Sequence, residues 1–377
     1  MKKIVILGAG FGGLETANGL SEVLRDGYEI TLIDKRDAFF VGFSKIDVMF
    51  GRRTQEAVRY PYARLRAEGV RFVQAEITAI DVDARSVGTS AGDFSYDYLV
   101  VALGADLAPD ATPGFRESGA HEFYSMQGAA ALGPVLQSFE SGTLVLGILG
   151  APYKCPPAPY EVAYQIHELF VEKGVRDRIT MKMVIPSPRP VPNPGTSDTL
   201  ERLLRERAIE LVPSTPIGSI DAAARKVGAI DYDLFIGVPV HVPPAVVRNS
   251  KLVDKGYIQP STINLETKFP GVYAVGDVTK LPVGENAVPK AGAFAEDAAR
   301  TVVSDILVKE GLRDSLEKFE AKGACYFELG GGAVAKVNAN YFGGEKPSMT
   351  VEGPAPEFMK DKLAFETTRR DRWFKPG

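Results

Sequence analysis

The segment from Lys3 to Asp34 constrains this chain more than any other. Lys3–Leu7 (KIVIL) is a short, β-branched apolar run, the pattern of a strand buried on both faces. It passes straight into Gly8-Ala9-Gly10-Phe11-Gly12-Gly13, a G-x-G-x-x-G, and then into a helical stretch from Leu14 to about Arg25. A second strand, Glu29–Ile33, delivers Asp34 twenty-one positions after Gly13. Gly8 allows the tight turn, Gly10 lets backbone approach a pyrophosphate, and Gly13 lets the helix sit close on the strand. The helix N-terminus offers unpaired N–H groups to phosphates, and the Asp34 carboxylate is placed to accept ribose hydroxyl protons. The glycines alone are a weak signal. With strand, helix, second strand and acid in register, they predict a Rossmann-like dinucleotide-binding unit instead of a glycine-rich turn without ligand.

Composition narrows the class. At 377 residues, two or three domains are expected, and 45% hydrophobic with 24% charged residues is the balance of a globular protein with a large core. Forty-four basic against 48 acidic residues leave a formal net charge of −4, which argues against nucleic acid as a partner. Cys155 and Cys325 stand 170 positions apart and make no disulfide framework. His121, His167 and His241 are too scattered for a metal-ligand cluster, so no metal is expected. No apolar run approaches the roughly 20 residues that span a bilayer. Lys2-Lys3 and a strand follow Met1 at once, leaving no room for a signal peptide, so a cytoplasmic chain is expected.

The first motif does not choose between NAD and FAD; the distant half of the chain does. Gly271–Asp277 (GVYAVGD) reads as a strand that delivers Asp277 after Gly276, followed by Val288-Pro289-Lys290-Ala291-Gly292 and a helix from about Ala293 to Lys309. A strand-end acid beside a helix N-terminus suits the ribityl hydroxyls and second phosphate of FAD. Asp97–Gly104 (DYLVVALG) resembles the strand that closes the FAD domain of two-dinucleotide-fold flavoproteins, with Gly104 at its end. With these parts in order, residues 1 to about 310 resemble the flavin disulfide reductase-type oxidoreductases. The fold class expected is α/β: two Rossmann-like domains plus a small C-terminal region. The FAD domain would take residues 1–105 and 260–310, the second, NAD-like domain 106–259, and the C-terminal region 311–377. Ile209–Val227 reads as a hairpin and Asp233–Val242 as one strand completing the second sheet. Further strands are expected around Ala324–Leu329 and Ala333–Ala339.

The second nucleotide motif departs from its template. After the strand Thr143–Leu149 comes Gly150-Ala151-Pro152-Tyr153-Lys154-Cys155-Pro156-Pro157-Ala158-Pro159-Tyr160-Glu161, whose four prolines remove N–H donors and fix φ where a pyrophosphate needs free amides. The strand Ile179–Ile185 ends in Pro186-Ser187-Pro188, with no ribose acid, so NAD(P)H is disfavoured. Pro152–Glu161 resembles the cysteine motif of the sulfide:quinone oxidoreductases and of the flavocytochrome c sulfide dehydrogenase flavoprotein. Gly323-Ala324-Cys325-Tyr326-Phe327, followed by Gly330-Gly331-Gly332, is similar to the family's second redox-cysteine segment. The resemblance implies that Cys155 and Cys325 take up sulfide or a persulfide on one face of the flavin, and that electrons leave through FAD to a quinone. It also places Lys290 near the flavin N1–C2 edge and makes Glu161 a proton relay. Read from the residues, the apolar neighbours Val288 and Ala291–Ala295 weigh against Lys290 being a solvated lysine, whereas Glu161 could equally be a first-turn acid complementing the helix dipole. Lys154 and the helix expected near Tyr160 predict a lowered Cys155 pKa. A free cysteine can also be a small buried hydrophobe, and this competes most strongly for Cys325.

Two departures bear on the chemistry. No third cysteine stands in His121–Gln127, and none stands in Phe39–Ser44, where the flavocytochrome relative is covalently joined to its flavin. FAD is therefore expected to be non-covalent. The segment Glu357–Gly377 carries Phe358, Met359, Leu363, Phe365, Trp373 and Phe374 with six basic and four acidic residues. That suits either a peripheral contact with the inner membrane face, where a quinone would enter, or a helix packed on its own or a partner subunit. The leading expectation is a flavoenzyme oxidising sulfide. A soluble dehydrogenase with a cytochrome acceptor and a flavin-binding paralogue without turnover remain as alternatives. A homo-oligomer stays open.

Overall fold

The structure is a computed structural model that describes residues 1–253 and 256–376. Asp254, Lys255 and Gly377, which the sequence reading assigned to the second domain and the C-terminal region, lie outside the described residues. In chain order the principal elements begin β1 (Lys2–Leu7), α1 (Phe11–Val23), β2 (Tyr28–Asp34), α2 (Ser44–Met49), β3 (Val70–Gln74), β4 (Tyr98–Val101) and β5 (Asp106–Ala108). There follow α3 (Met126–Ser138), β6 (Gly142–Ile148), α4 (Ala158–Glu172), β7 (Ile179–Val184), α5 (Pro194–Glu206), β8 (Ile209–Val212), β9 (Leu234–Val238) and β10 (Val240–Val242). The last are β11 (Val272–Ala274), α6 (Gly292–Lys309), β12 (Lys322–Glu328), β13 (Val334–Asn340), β14 (Ser348–Ala355) and α7 (Phe358–Trp373).

Two parallel sheets carry the α/β character expected. The first has the order β11-β4-β1-β2-β3, the second β8-β7-β6-β9. Parallel strands need cover on both faces, which is why Ile4–Leu7 and Leu144–Ile148 read as continuous apolar runs. In the first sheet β11 pairs with β4, so Asp277 arrives from the far end of the chain at the C-terminal edge that α1 starts from. There α1 packs closely on α6: a Cβ at Gly19 would stand 3.1 Å from the Val303 side chain.

Three local expectations are corrected. The stretch Ile209–Val227 is not one hairpin. Ile209–Val212 is a parallel edge strand against β7, and the turn lies further on, where Ile220–Asp221 pairs with Lys226–Val227. Asp233–Val242 is two strands. Pro239 lacks the N–H that would continue the ladder, so β9 stays in the second sheet while β10 pairs antiparallel with β5. The C-terminal region adds a third antiparallel strand, β14, to the two expected, whereas its closing helix, α7, is one of the two readings of Glu357–Gly377.

Helix α7 is clamped onto its own chain. Trp373 is fully buried and donates from Nε1 to Glu15 Oε2 at 2.9 Å, and Phe374 stacks among Phe39, Tyr60 and Tyr62. Three of its basic residues are engaged as well: Arg369 with Glu296, Arg372 with Glu15, Lys362 with Glu161 and Glu328. Part of the aromatic and basic character of this segment is thus turned inward, while Lys360, Leu363, Arg370 and Lys375 remain exposed. Among the described residues no helix is long and apolar enough to cross a membrane.

Candidate active site

A cavity of about 280 Å³ lies where the first sheet, the second sheet and β12 meet. Its floor is the start of α1. The amides of Phe11, Gly12 and Gly13 have no acceptor among the described residues, the first intrahelical donor being Leu14 to Gly10 O at 2.9 Å. Gly8 has φ +93°, and a Cβ on Gly13 would stand 1.8 Å from Gly8 O, so helix and turn touch backbone to backbone. A Cβ on Gly10 would meet nothing and would project into the space a ligand needs. Gly104 and Gly276 line the same cavity, as does Asp277. The Asp277 carboxylate takes no hydrogen bond among the described residues; burial raises its pKa, opposed by Lys154, Lys290 and Lys45.

Asp34 is more committed than its sequence position suggests. Oδ2 accepts from Ala9 N at 2.8 Å and from Arg36 Nη2 at 3.2 Å, while Oδ1 accepts from Arg36 N and Nε. Four donors saturate a carboxylate. A ribose hydroxyl would have to displace the half-exposed Arg36 guanidinium, a residue that sequence reasoning passed over.

The two cysteines come together here despite their sequence separation. Cys155 lies in the loop before α4, held by its N–H donating to Lys290 O at 2.8 Å and its carbonyl accepting from Ala158 N at 2.9 Å. Its φ is +48°, a left-handed conformation that costs a non-glycine residue on the order of 1–3 kcal/mol. Cys325 sits in β12 opposite Val337. Both are free thiols, both line the cavity, and the charge of one raises the pKa of the other. The expectation of a lowered Cys155 pKa is overturned. Burial pushes it up, with Cys325 and Glu161 adding to the rise, and burial pushes Cys325 up to about 11. Lys154 is adjacent only in sequence; its ammonium donates to Ala105 O at 3.1 Å.

The same loop leaves no amide for a phosphate at the start of α4. Ala158 N bonds Cys155 O, Pro159 has none, and Tyr160 and Glu161 both donate to Pro157 O. The contrast with α1 is complete: one helix start is open, the other is closed on itself.

Glu161, 1% exposed, faces the cavity from α4. Its Oε1 accepts from Lys362 Nζ at 2.9 Å and from Glu328 N at 3.0 Å, while Oε2 takes no hydrogen bond among the described residues. Burial raises its pKa against the pull of Lys362. Lys362 also bonds Glu328 at 2.7 Å, and Glu328 meets the half-exposed Arg52 at 2.9 Å. Lys290 is buried, which disposes of the solvated-lysine reading. Its ammonium donates to Asp277 O at 2.6 Å and Thr279 O at 2.9 Å and lies 3.8 Å from the Tyr257 ring centroid. Burial lowers its pKa to about 8.

The model of the pyridine nucleotide-disulphide oxidoreductases matches residues 2–295. The chain belongs to this family. The X-ray structure of the sulfide:quinone oxidoreductase from Aquifex aeolicus overlays with a TM-score of 0.87 at 22% identity, covering 100% of this chain and 93% of that one. The mitochondrial sulfide:quinone oxidoreductase of Dictyostelium discoideum is 24% identical over 317 residues, 76% of this chain and 67% of that protein. A type II NADH:quinone oxidoreductase of Staphylococcus aureus is 28% identical over 345 residues, 85% of either chain. This family member is a flavin-dependent oxidoreductase with FAD as its cofactor. The residues present fit that group. The open amides at the start of α1, the uncapped space at Gly10 and the unpartnered Asp277 carboxylate are what a pyrophosphate and ribityl hydroxyls require.

Sequence reasoning missed Lys362, Glu328, Lys45 and Tyr124. Lys362 was legible only as one of several basic residues in the C-terminal segment. Tyr124 lies in the segment noted for its missing cysteine. Neither carries a local motif, because what defines each is a neighbour far away in the chain.

Proposed function

We propose that this chain oxidises sulfide at Cys155 and Cys325 and passes the electrons through non-covalent FAD to a quinone. The supporting observation is the pair itself: two thiols from distant segments lining one cavity with the open glycine cradle. When the pair is oxidised, hydrosulfide attacks one sulfur; the old S–S bond breaks, a persulfide forms on the attacked cysteine, and the other leaves as thiolate. FAD, when bound, supplies the two-electron relay between the cysteine site and the acceptor. Glu161 accepts protons through its unengaged Oε2, and Lys362 holds the carboxylate in place. Gly8, Gly10, Gly13, Gly104, Gly276 and Asp277 hold the cofactor, with Asp34 doing so through Arg36. Lys290 binds Asp277 to the Cys155 loop and adds positive charge at that edge. Quinone as acceptor follows the similarity to quinone-reducing relatives.

The second reading is NADH oxidation, favoured by the 28% identity to the type II NADH:quinone oxidoreductase. Against it stands the closed start of α4, which offers a second pyrophosphate no free amide. Anaerobic mixing of the yellow holoprotein with sulfide, and separately with NADH, decides by flavin absorbance. Bleaching by sulfide and not NADH is expected; bleaching by NADH alone would overturn the proposal.

A further inference from the structure

Beside Cys155, on the side formed by α2 and the segment before α3, two polar side chains have no assigned task. Tyr124 is 7% exposed, lines the cavity, and its hydroxyl has no hydrogen-bond partner among the described residues. Lys45, on α2, lines the same cavity and donates from Nζ to Tyr124 O at 2.6 Å, which fixes the ammonium beside the tyrosine and leaves two of its protons free. No carboxylate lies within ion-pair distance of Lys45 among the described residues. Glu122, the nearest acid in sequence to Tyr124, turns its carboxylate onto the backbone of Tyr124 and Ser125 instead. His241 packs edge-on against the Tyr124 ring at 4.9 Å between centroids; its Nδ1 bonds Pro239 O, and its Nε2, like the Tyr124 hydroxyl, has no partner among the described residues.

An unpaired buried hydroxyl is a loss of stability with no structural return, and native structures hold few of them. A buried ammonium without a counter-ion is more costly still. Here both groups stand within electrostatic reach of the same sulfur: a negative charge on Cys155 stabilises the Lys45 cation and opposes ionisation of Tyr124. Two other cations, Lys154 and Arg36, add positive potential at Lys45. Such a corner is complementary to a small anion that accepts hydrogen bonds.

We propose that Tyr124 and Lys45 form the subsite that receives the hydrosulfide anion next to Cys155. The inference rests on the sulfide reading and adds to it the residues that bind the substrate. The phenol donates one hydrogen bond and the ammonium supplies the charge, so the anion is held in preference to the neutral molecule.

The test uses the FAD-loaded protein and two variants, Tyr124→Phe and Lys45→Met, with Lys45→Arg as the charge-conserving control. Flavin reduction is followed by stopped flow against sulfide concentration, and thiocyanate serves as an unreactive anion probe, read by perturbation of the flavin spectrum. Each variant should raise the half-saturating sulfide concentration about tenfold, the loss of one hydrogen bond to an anion, with a smaller change in the limiting rate. Lys45→Arg should recover part of that loss. Tyr124→Phe should melt at or above the wild-type temperature, whereas a structural hydroxyl would lower it. Unchanged half-saturation in both Tyr124→Phe and Lys45→Met would overturn the subsite. If sulfide fails to bleach the wild type, the sulfide reading fails, and thiocyanate alone judges the subsite. A wild-type perturbation lost in both variants supports an anion site, while one that is absent or equal in all three proteins refutes it.

Discussion

The Lys362 ammonium stands 2.9 Å from Glu161 and 2.7 Å from Glu328, so a residue of the C-terminal helix lies between a carboxylate on α4 and one on the strand that carries Cys325. All three are largely buried, and such a triad is held by mutual compensation. Removing the cation leaves two carboxylates facing each other without it.

Lys362→Met should therefore destabilise the holoprotein by about 3 kcal/mol, the usual penalty for stranding a buried charge. The same change should raise the Glu161 pKa further, because Lys362 is what opposes the effect of burial there. The pH at which sulfide-driven flavin reduction is half-maximal should move upward. Urea unfolding and a stopped-flow pH series measure the two effects separately; an unmoved pH profile would remove Glu161 from the proton path.

Replacing Cys155 or Cys325 by Ser should leave FAD bound and the fold intact. Each change should cut sulfide-driven flavin reduction by at least two orders of magnitude, since Ser is a poor nucleophile and cannot bond sulfur in this way. The double variant should be little worse than either single one, because the two act as a unit. Normal reduction by Cys325→Ser would return that residue to the role of a core side chain.

The glycine cradle separates folding from binding. Gly13→Ala should prevent accumulation of folded protein, since the new Cβ would lie 1.8 Å from Gly8 O. Gly10→Ala should fold normally yet retain FAD more weakly, because its Cβ meets no protein atom and enters the ligand space. FAD-to-protein ratio after gel filtration reads both. With no cysteine in Phe39–Ser44, acid precipitation should release the yellow colour into the supernatant.

Burial, together with the charges of Lys154 and Arg36 and against the opposing pull of Glu122 and Cys155, lowers the Lys45 pKa to about 7. Asp277 and His241 also feel its charge. Between that value and the ordinary lysine value the unfolded chain binds the extra proton, so this group makes the fold more stable as pH rises, by about 1 kcal/mol per pH unit. Lys45→Met lacks that dependence. Its stability relative to wild type should be greatest near pH 7 and shrink toward pH 10, as measured by urea unfolding at several pH values. A constant difference would mean that Lys45 is not held in a charge-disfavouring site.

Much of this protein was legible in its sequence wherever the physics is local. The Lys3–Asp34 unit is a contiguous strand, turn, helix and strand, and the closest of its glycine contacts, Gly13 on Gly8 O, is local. The α/β class follows from apolar runs that only sheets covered on both faces can use. The division at Pro239 was visible in principle, since a missing N–H is a property of the residue itself, but the apolar pattern around it masked the break.

What tertiary structure alone decided concerns charge and burial. Lys154 is next to Cys155 in the chain yet points to Ala105 O, so the thiol expected to be acidified by its neighbour is instead raised by its surroundings. Asp34 was read as an open ribose acceptor, but Arg36 folds back onto it. Lys362, Arg369, Arg372 and Trp373 of the C-terminal segment, which composition allowed to face a membrane, are turned against Glu161, Glu296 and Glu15. Sequence patterns report which atoms are present and how the backbone repeats. Electrostatic free energy depends on distances and on the exclusion of water, and those are set when segments hundreds of residues apart close around one cavity.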